Sequence, residues 1–491
     1  MSGVIGSARM SIESASLLGA RRLRADQHQH WSSPYAARRV HLIGIGGCGM
    51  SSLAGVLLRC GAIVSGSDRG GFKIQPRLEE LGATIAIGQA PINIPTGCDI
   101  VVSSAAIRED NPELLEARRR GLPCLSYAQM LGEVMRLRKG IAVAGTHGKS
   151  TTTAMVAYIL RQARTDPTFV VGAEVAQLEG SSGVGDGPYF VVEACEFNRS
   201  FLNLAPAHAA ILNIEEDHLD YFKGLEDISS AFHAFAGLVP AGGVVVANAD
   251  DAIVTQAVRR IPAQVETFGL AESATWRAVD IRESQGCYQF GVEHEGRLFL
   301  HASMNHLPGR HQIANALAAT ALAGLADVPA ETIADSLSRF SGADRRLSRR
   351  GEGRGILILD DYGHHPTEIK VTLRTVRERY PGRRLWVVFQ PHQHSRTRFL
   401  LEDFARSFGQ ADHLLVPDIY FVRDSEAERS EISSSHLVDK VRSNGGDALY
   451  LAGHDEIVDH IVRRATEGDV ILTMGAGDVW KIADELVRRL A

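Results

Sequence analysis

No C-x-x-C pair occurs anywhere in the 491 residues. The six cysteines (Cys48, Cys60, Cys98, Cys124, Cys195 and Cys287) are scattered along the chain. That spacing speaks against a zinc knuckle and a disulfide framework, and for a reducing, cytoplasmic compartment. Apolar runs are strand-sized and broken by Gly or polar residues within about eight positions, so no membrane span is expected. The first 35 residues mix Ser, Arg, Gln and His without a continuous apolar stretch, so no secretory signal is expected either. They read as a poorly ordered extension over 1–35, with "QHQH" (27–30) part of that polar tail rather than a metal site. A formal net charge of −6 excludes a global field for nucleic acid. There is no G-x-S-x-G elbow and no Cys–His nucleophile signature, which removes two common hydrolase classes.

What is present is ordinary in composition and orderly in pattern. Hydrophobic residues make up 45% and charged residues 22%, as in most globular chains. The length exceeds one hydrophobic core, and a prior of about 150 residues per domain gives roughly three. The fold class expected is α/β: a Rossmann-like N-terminal domain over 36–139, a central phosphate-loop ATPase-type domain over 140–341, and a C-terminal Rossmann-like domain over 342–491.

The first unit is "RRVHLIGIGGCGMSSLAGVLLRCG" (38–61), a short strand, a glycine turn and an apolar-periodic helix. Gly44, Gly46 and Gly49 fit G-x-G-x-x-G, which lets backbone N–H groups approach a diphosphate. Strand "AIVSGSD" ends in Asp68, nineteen residues after Gly49, where a carboxylate can accept hydrogen bonds from a ribose. Strand "CDIVVSSAAI" (98–107) ends in Ser103 and Ser104, hydroxyls suited to a phosphate or sugar.

The second unit carries "VAGTHGKSTTT" (143–153). The usual G-x-x-x-x-G-K-[ST] would need Gly where Val143 stands, so a shorter G-x-x-G-K-S survives from Gly145 to Ser150. Strand, lysine, hydroxyl and helix still coincide. Lys149 can reach β- and γ-phosphates, Ser150 can ligate Mg²⁺, and the helix start favours anions. Downstream strands deliver Glu193 and the cluster Asn213, Asp217, His218 and Asp220, carboxylate and imidazole groups suited to metal and phosphate chemistry. Zinc would fit these groups too, but Mg²⁺ is the better match beside ATP. Residues 286–304 alternate apolar and polar and read as antiparallel strands forming a side sheet. Residues 308–326 read as a helix that opens on the polar run Arg310, His311, Gln312 and Asn315.

The third unit follows the polar break "FSGADRR" (340–346), suited to a hinge. Strands and helices then alternate, which implies a parallel sheet with functional groups at its C-terminal edge. The edge residues are Asp361, His364, His365, Gln390, His392, Arg396 and the Gly475–Gly477 loop.

Six motifs together resemble the Mur ligase family: "GIGGCGMS" (44–51), "GTHGKSTTT" (145–153), "NIEEDHLD" (213–220), "GRHQIAN" (309–315), "DDYGHHPTEI" (360–369) and "FQPHQHSRT" (389–397). Their order and approximate spacing match, over nearly everything from residue 38 onward, and the shortened phosphate loop is the family's own. The resemblance implies an ADP-forming ligation of L-alanine to the lactyl carboxylate of UDP-N-acetylmuramate through an acyl phosphate, in peptidoglycan precursor synthesis. It implies ATP and Mg²⁺, with Lys149, Glu193 and His218 catalytic and Ser150, Glu193 and His218 holding metal. ATP would lie on Gly145, Thr146, His147, Gly148, Lys149, Ser150 and Thr151. His311, Gln312 and Asn315 would seat adenine, and Arg345 and Asp361 would clamp the nucleotide. The uridine sugar would lie on Gly46, Gly47, Gly49, Met50, Ser51, Asp68, Ser103 and Ser104, and the amino acid near His364, His392 and Arg396. No nucleic acid or membrane partner is implied, and monomer and homodimer both stay open.

Two departures stand out: Gln312 replaces a usual Asn, and "ACEFNRSF" follows Glu193 where many members read Ala-Asp-Glu-Ser-Asp. Three alternatives also stay open. A murein tripeptide recycling ligase shares much of the pattern. An NAD(P)-dependent dehydrogenase fits the first glycine loop alone, but leaves Lys149 and the third unit without use, and a nucleotide-gated regulatory protein would not need the metal groups.

Overall fold

The computed structural model describes residues 33–491 apart from residue 423. The expected extension over 1–35, with "QHQH", lies almost wholly outside the described residues. Organised packing starts slightly earlier than the sequence suggests, because Tyr35 is already buried in the first core.

The first sheet holds β1 (Arg39–Ile43), β2 (Ile63–Asp68), β3 (Thr84–Ile87), β4 (Ile100–Ser103) and β5 (Cys124–Ser126), in the order β3-β2-β1-β4-β5. Every pair is parallel. Chain order reverses between β1 and β4, so the loops leaving them open a crevice at the sheet's C-terminal edge.

The second sheet has ten strands. They are β6 (Lys139–Ala144), β7 (Thr168–Val170), β8 (Ser182–Gly183), β9 (Tyr189–Glu193), β10 (His208–Ile211), β11 (Val244–Asn248), β12 (Gln264–Gly269), β13 (Trp276–Ser284), β14 (Cys287–His294) and β15 (Arg297–Ser303). β6 lies at the centre, parallel to β10 on one side and β9 on the other. The alternating segment is antiparallel, as its pattern predicts. It is not a separate side sheet, however. Two parallel residue pairs, Phe268↔Trp276 and Gly269↔Arg277, join it to β12 and make one continuous sheet. Helix Lys149–Gln162 is buried from Ser150 to Leu160 and shares a core with helix Gln312–Gly324. Burial all round explains why neither helix shows a polar face.

The third sheet has β16 (Ser348–Gly353), β17 (Ile356–Asp361), β18 (Leu385–Phe389), β19 (His413–Val416), β20 (Ala448–Tyr450) and β21 (Val470–Met474), ordered β16-β17-β21-β18-β19-β20. Only β16 is antiparallel among them. β17, β18 and β21 are buried along their whole length, as parallel strands covered on both faces must be.

A buried polar cluster braces the first crevice from below. Glu113, fully buried, accepts hydrogen bonds from Ser67 Oγ (2.5 Å), Asn93 Nδ2 (2.6 Å) and the Ala90 N–H (3.1 Å), and sits 3.3 Å from His41 Nε2. Burial opposes its charge, but His41, Ser67 and Asn93 hold the carboxyl below the ordinary glutamate value of 4.5. A depressed folded pKa means stabilisation present above 4.5 and lost as pH falls through the folded value. Glu113→Gln is therefore expected to cost about 1.5–3 kcal/mol near neutrality. Urea unfolding should show that gap to wild type narrowing in acid.

Candidate active site

In the first crevice Asp68 does not stand free at the end of β2. Its Oδ2 accepts the Gly46 N–H at 2.8 Å and its Oδ1 the Arg69 N–H at 2.7 Å. In this arrangement the carboxylate shapes the glycine loop, where the sequence suggested a ribose acceptor. Gly46 leaves little room for a side chain: a Cβ would stand 2.7–2.8 Å from the Phe72 ring and from Asp68, which would have to move. The cavity, about 390 Å³, is lined by Gly44, Gly46, Gly47, Asp68 and Ser104, with Phe72 and Gln89 opposite. Four expected residues do not line it. Gly49 is packed under Tyr127, where a Cβ would meet the ring at 2.8 Å. Met50 is buried in the core, Ser51 donates to Cys48 O at 3.0 Å, and Ser103 pairs with Ile43 inside the sheet.

The central loop joins β6 to helix Lys149–Gln162. Gly148 has φ +82°, and a Cβ there would come within 2.6 Å of Asn315 Oδ1, so glycine is needed for both reasons. Neighbouring strand ends fasten the loop. Asn213, just past β10, accepts the His147 N–H at 2.7 Å and donates to His147 O at 3.1 Å. Thr146 Oγ1 accepts the Glu215 N–H at 2.9 Å.

Lys149 is nearly buried and lies over its own loop. Its Nζ donates to Gly145 O (2.6 Å) and Thr146 O (3.0 Å) and pairs with Glu196 Oε2 at 2.9 Å. Burial works against the ammonium, yet Glu196 carries its pKa above the ordinary lysine value. Glu196 is not among the residues the sequence motifs single out; its signal is a second carboxylate three residues after Glu193.

Glu193 closes β9. Its Oε1 accepts from Ser150 Oγ at 3.1 Å and its Oε2 from the Gly172 N–H at 2.6 Å. Neighbouring ligands of an octahedral Mg²⁺ with 2.0–2.1 Å bonds stand about 2.9 Å apart, so Ser150 and Glu193 fit one hard cation. His218 belongs to the same floor but not to that pair. It has φ +54°, a strained setting for a non-glycine residue. Its Nε2 is 3.8 Å from Asp217 Oδ2 and 4.0 Å from Glu196 Oε1, and its buried Nδ1 has no hydrogen-bond partner. An unpartnered buried imidazole nitrogen is costly without a ligand. The donor set therefore suits a divalent cation.

A second cavity, about 210 Å³, lies between the central and third domains. His147, Gly148, Thr151, His311, Gln312, Asn315 and Asp361 all line it. Gln312 donates from Nε2 to His311 Nε2 (3.0 Å) and accepts from Asn315 Nδ2 (2.9 Å), so the longer amide bridges the two other polar residues of its helix start. Asp361 accepts the Gly363 and Leu347 N–H groups, each at 2.7 Å, and burial pushes its carboxyl up to about 6. Arg345 turns away from this cavity. It pairs with Asp360 at 2.9 Å and donates to Gly475 O and Gly477 O, inside the third domain. The neighbouring Arg346 faces the cavity instead and reaches Ser150 Oγ at 3.3 Å.

The third domain also inserts Arg396. Its guanidinium meets Asp217 through Nε (3.0 Å) and Nη2 (2.9 Å), both residues being buried, and its Nη1 is 3.3 Å from His392 Nδ1. His364 lies nearby, its ring tilted by 56° to that of His392 with the centroids 6.0 Å apart. Burial, with Arg396 beside it, pushes His364 down to about 4. His364, His392 and Arg396 thus form one wall facing Asp217 and His218.

Fold and site together define a three-domain α/β enzyme with a phosphate-loop ATPase-type middle domain, a glycine-loop crevice in the first domain and a third domain packed against the phosphate loop. Comparison with known proteins narrows this class. Family models match in succession: Mur ligase family, catalytic domain, over 39–139; Mur ligase middle domain over 143–323; and Mur ligase, glutamate ligase domain, over 345–477. The chain belongs to the Mur ligase family. It is 43% identical over 453 residues to the UDP-N-acetylmuramate–L-alanine ligase of Geobacter sp. (strain M21), covering 92% of this chain and 97% of the relative. The enzyme of the same name from Caldanaerobacter subterraneus is 41% identical over 452 residues. Among solved structures, UDP-N-acetylmuramate-alanine ligase from Thermotoga maritima superposes with a TM-score of 0.76 at 29% identity, covering 92% of this chain and 98% of that one. A murein peptide ligase from Psychrobacter arcticus gives 0.69 at 28% identity, with 92% and 99% covered.

Proposed function

We propose that this chain is an ADP-forming ligase joining L-alanine to the lactyl carboxylate of UDP-N-acetylmuramate, in peptidoglycan precursor synthesis, on which cell shape and division depend. One observation carries the reading. Curated relatives bearing that activity in their names align at 40–43% identity across all three domains. The murein peptide ligase likeness is weaker in identity and TM-score.

The chemistry asks for what this crevice offers. The lactyl carboxylate oxygen attacks the γ-phosphorus of ATP, the bond to the ADP oxygen breaks, and an acyl phosphate forms. The alanine amine then attacks that carbonyl, loses a proton, and phosphate leaves. Two anions must meet, so positive charge has to be in place beforehand. Lys149 supplies it from the loop, Arg346 from the third domain. Ser150, Glu193 and His218 would hold Mg²⁺, which offsets phosphate charge when bound. The nucleotide base would lie in the cavity bridged by Gln312, and the sugar nucleotide on Gly46, Gly47 and Ser104. Arg396, paired with Asp217, seats the third domain over the floor and excludes water from the labile acyl phosphate. No described helix is long and apolar enough to cross a membrane, and all six cysteines are free thiols, in keeping with a cytoplasmic enzyme.

The test is ADP release from ATP and UDP-N-acetylmuramate with different amines. L-Alanine is expected to support it, and murein tripeptide in its place is not. Turnover with the tripeptide alone would assign the recycling reaction. Calorimetry showing tight NAD(P) binding and none of the uridine sugar would sink the ligase reading.

A further inference from the structure

His147, Glu215 and His365 converge where the phosphate loop meets the third domain. One ligand atom from each lies within 4.8 Å of the others. His147 Nε2 is 3.3 Å from Glu215 Oε2, and His365 Nδ1 is 3.8 Å from the same oxygen. Ligands around a tetrahedral ion with 2.0–2.1 Å bonds stand about 3.3–3.5 Å apart; His365 Nδ1 accepts the Thr367 N–H at 3.3 Å, and a side-chain rotation that gives up this weak bond closes the set onto an ion.

The outer nitrogens give an independent indication. His147 Nδ1 lies 3.2 Å from Glu368 Oε1, and His365 Nε2 lies 3.0 Å from the backbone oxygen of Glu216. A carboxylate or a carbonyl behind each imidazole is the outer shell found around metal-binding histidines, fixing tautomer and ring orientation. Thr367 Oγ1 likewise donates to Glu215 Oε2 at 2.6 Å, orienting the carboxylate. His147 and Glu215 also line the 210 Å³ cavity, which leaves room for water or an anion as a fourth ligand.

We propose that these three side chains form an interdomain site for a borderline divalent transition ion of the Zn²⁺ class. Two imidazoles beside a single carboxylate suit such an ion better than Mg²⁺, which is held mainly by oxygen ligands. The site is separate from Ser150, Glu193 and His218. Because His147 and Glu215 come from the central domain and His365 from the third, the ion ties the two together and fixes one wall of the cavity.

The experiment uses the full chain, stripped with chelator, in Mg²⁺-free buffer. Co²⁺ serves as an optical probe and Zn²⁺ as the calorimetric titrant. The expected result is Co²⁺ absorption of tetrahedral intensity that persists in Glu193→Ala, which removes the other donor set. His365→Ala is expected to abolish that absorption and weaken Zn²⁺ binding at least tenfold. Glu215→Gln, which keeps the side-chain volume, should do the same if His365→Ala fails to fold. Unchanged Zn²⁺ binding in folded His365→Ala or Glu215→Gln would overturn the site. So would metal binding that Glu193→Ala removes entirely, leaving the cluster an ordinary histidine–carboxylate ion pair.

Discussion

Lys149→Ala is expected to lower ADP release by about 10³-fold, the scale at which one well-placed charged donor to a developing anion acts. The geometry makes this lysine hard to replace. Its ammonium is buried against Glu196 at 2.9 Å and held by two carbonyls of its own loop, so it stays charged until phosphate oxygens compete for it. The same contacts complicate a single substitution. Truncating the lysine leaves Glu196 buried without a cation, which costs about 3–5 kcal/mol when a buried pair loses one partner. A mere loss of stability could then pass for a loss of catalysis. The variant Lys149→Ala/Glu196→Gln separates the two. Thermal melting should return toward wild type while ADP release stays near background. Turnover recovering together with stability would reduce Lys149 to a structural cation.

The second large effect belongs to Glu193. Glu193→Ala is expected to cut turnover by about 10²-fold or more and raise the Mg²⁺ requirement, because Ser150 Oγ alone cannot neutralise a bound cation. Its Oε2 also accepts the Gly172 N–H at 2.6 Å, so alanine exposes an unpaired donor at a cost of about 1–3 kcal/mol. Glu193→Gln keeps an oxygen for Gly172 and removes only the charge. It should melt close to wild type, yet need far more Mg²⁺ for half-maximal ADP release. A glutamine variant with unaltered Mg²⁺ dependence would make Glu193 a structural brace for Gly172.

Local pattern carried much of this molecule. The strand–glycine-loop–helix units, the shortened phosphate loop and the edge residues Asp361, His364, His392 and Arg396 could be read from the sequence because each depends on neighbours a few positions away. Backbone periodicity sets a strand, glycine sets its turn, and parallel topology then gathers loop residues at one sheet edge. Partners across the fold could not be read that way. Arg396 meets Asp217 across 179 residues. Which of two adjacent arginines reaches the cavity depended on β16 and β17: Arg345, at φ +58°, is drawn inward by Asp360, leaving Arg346 to face the phosphate loop. Asp68 looked like a free acceptor until the fold brought the Gly46 N–H within 2.8 Å. Glu196 carries no local signature of its role, which lies in the ammonium it neutralises, and the alternating strands join the central sheet through pairing with β12. Sequence by itself determined the elements and the chemical groups at their ends, since these are short-range consequences of sterics and hydrophobic period. Tertiary structure alone decided which groups face one another, because charge pairing and desolvation act between residues that only packing brings within a few ångströms.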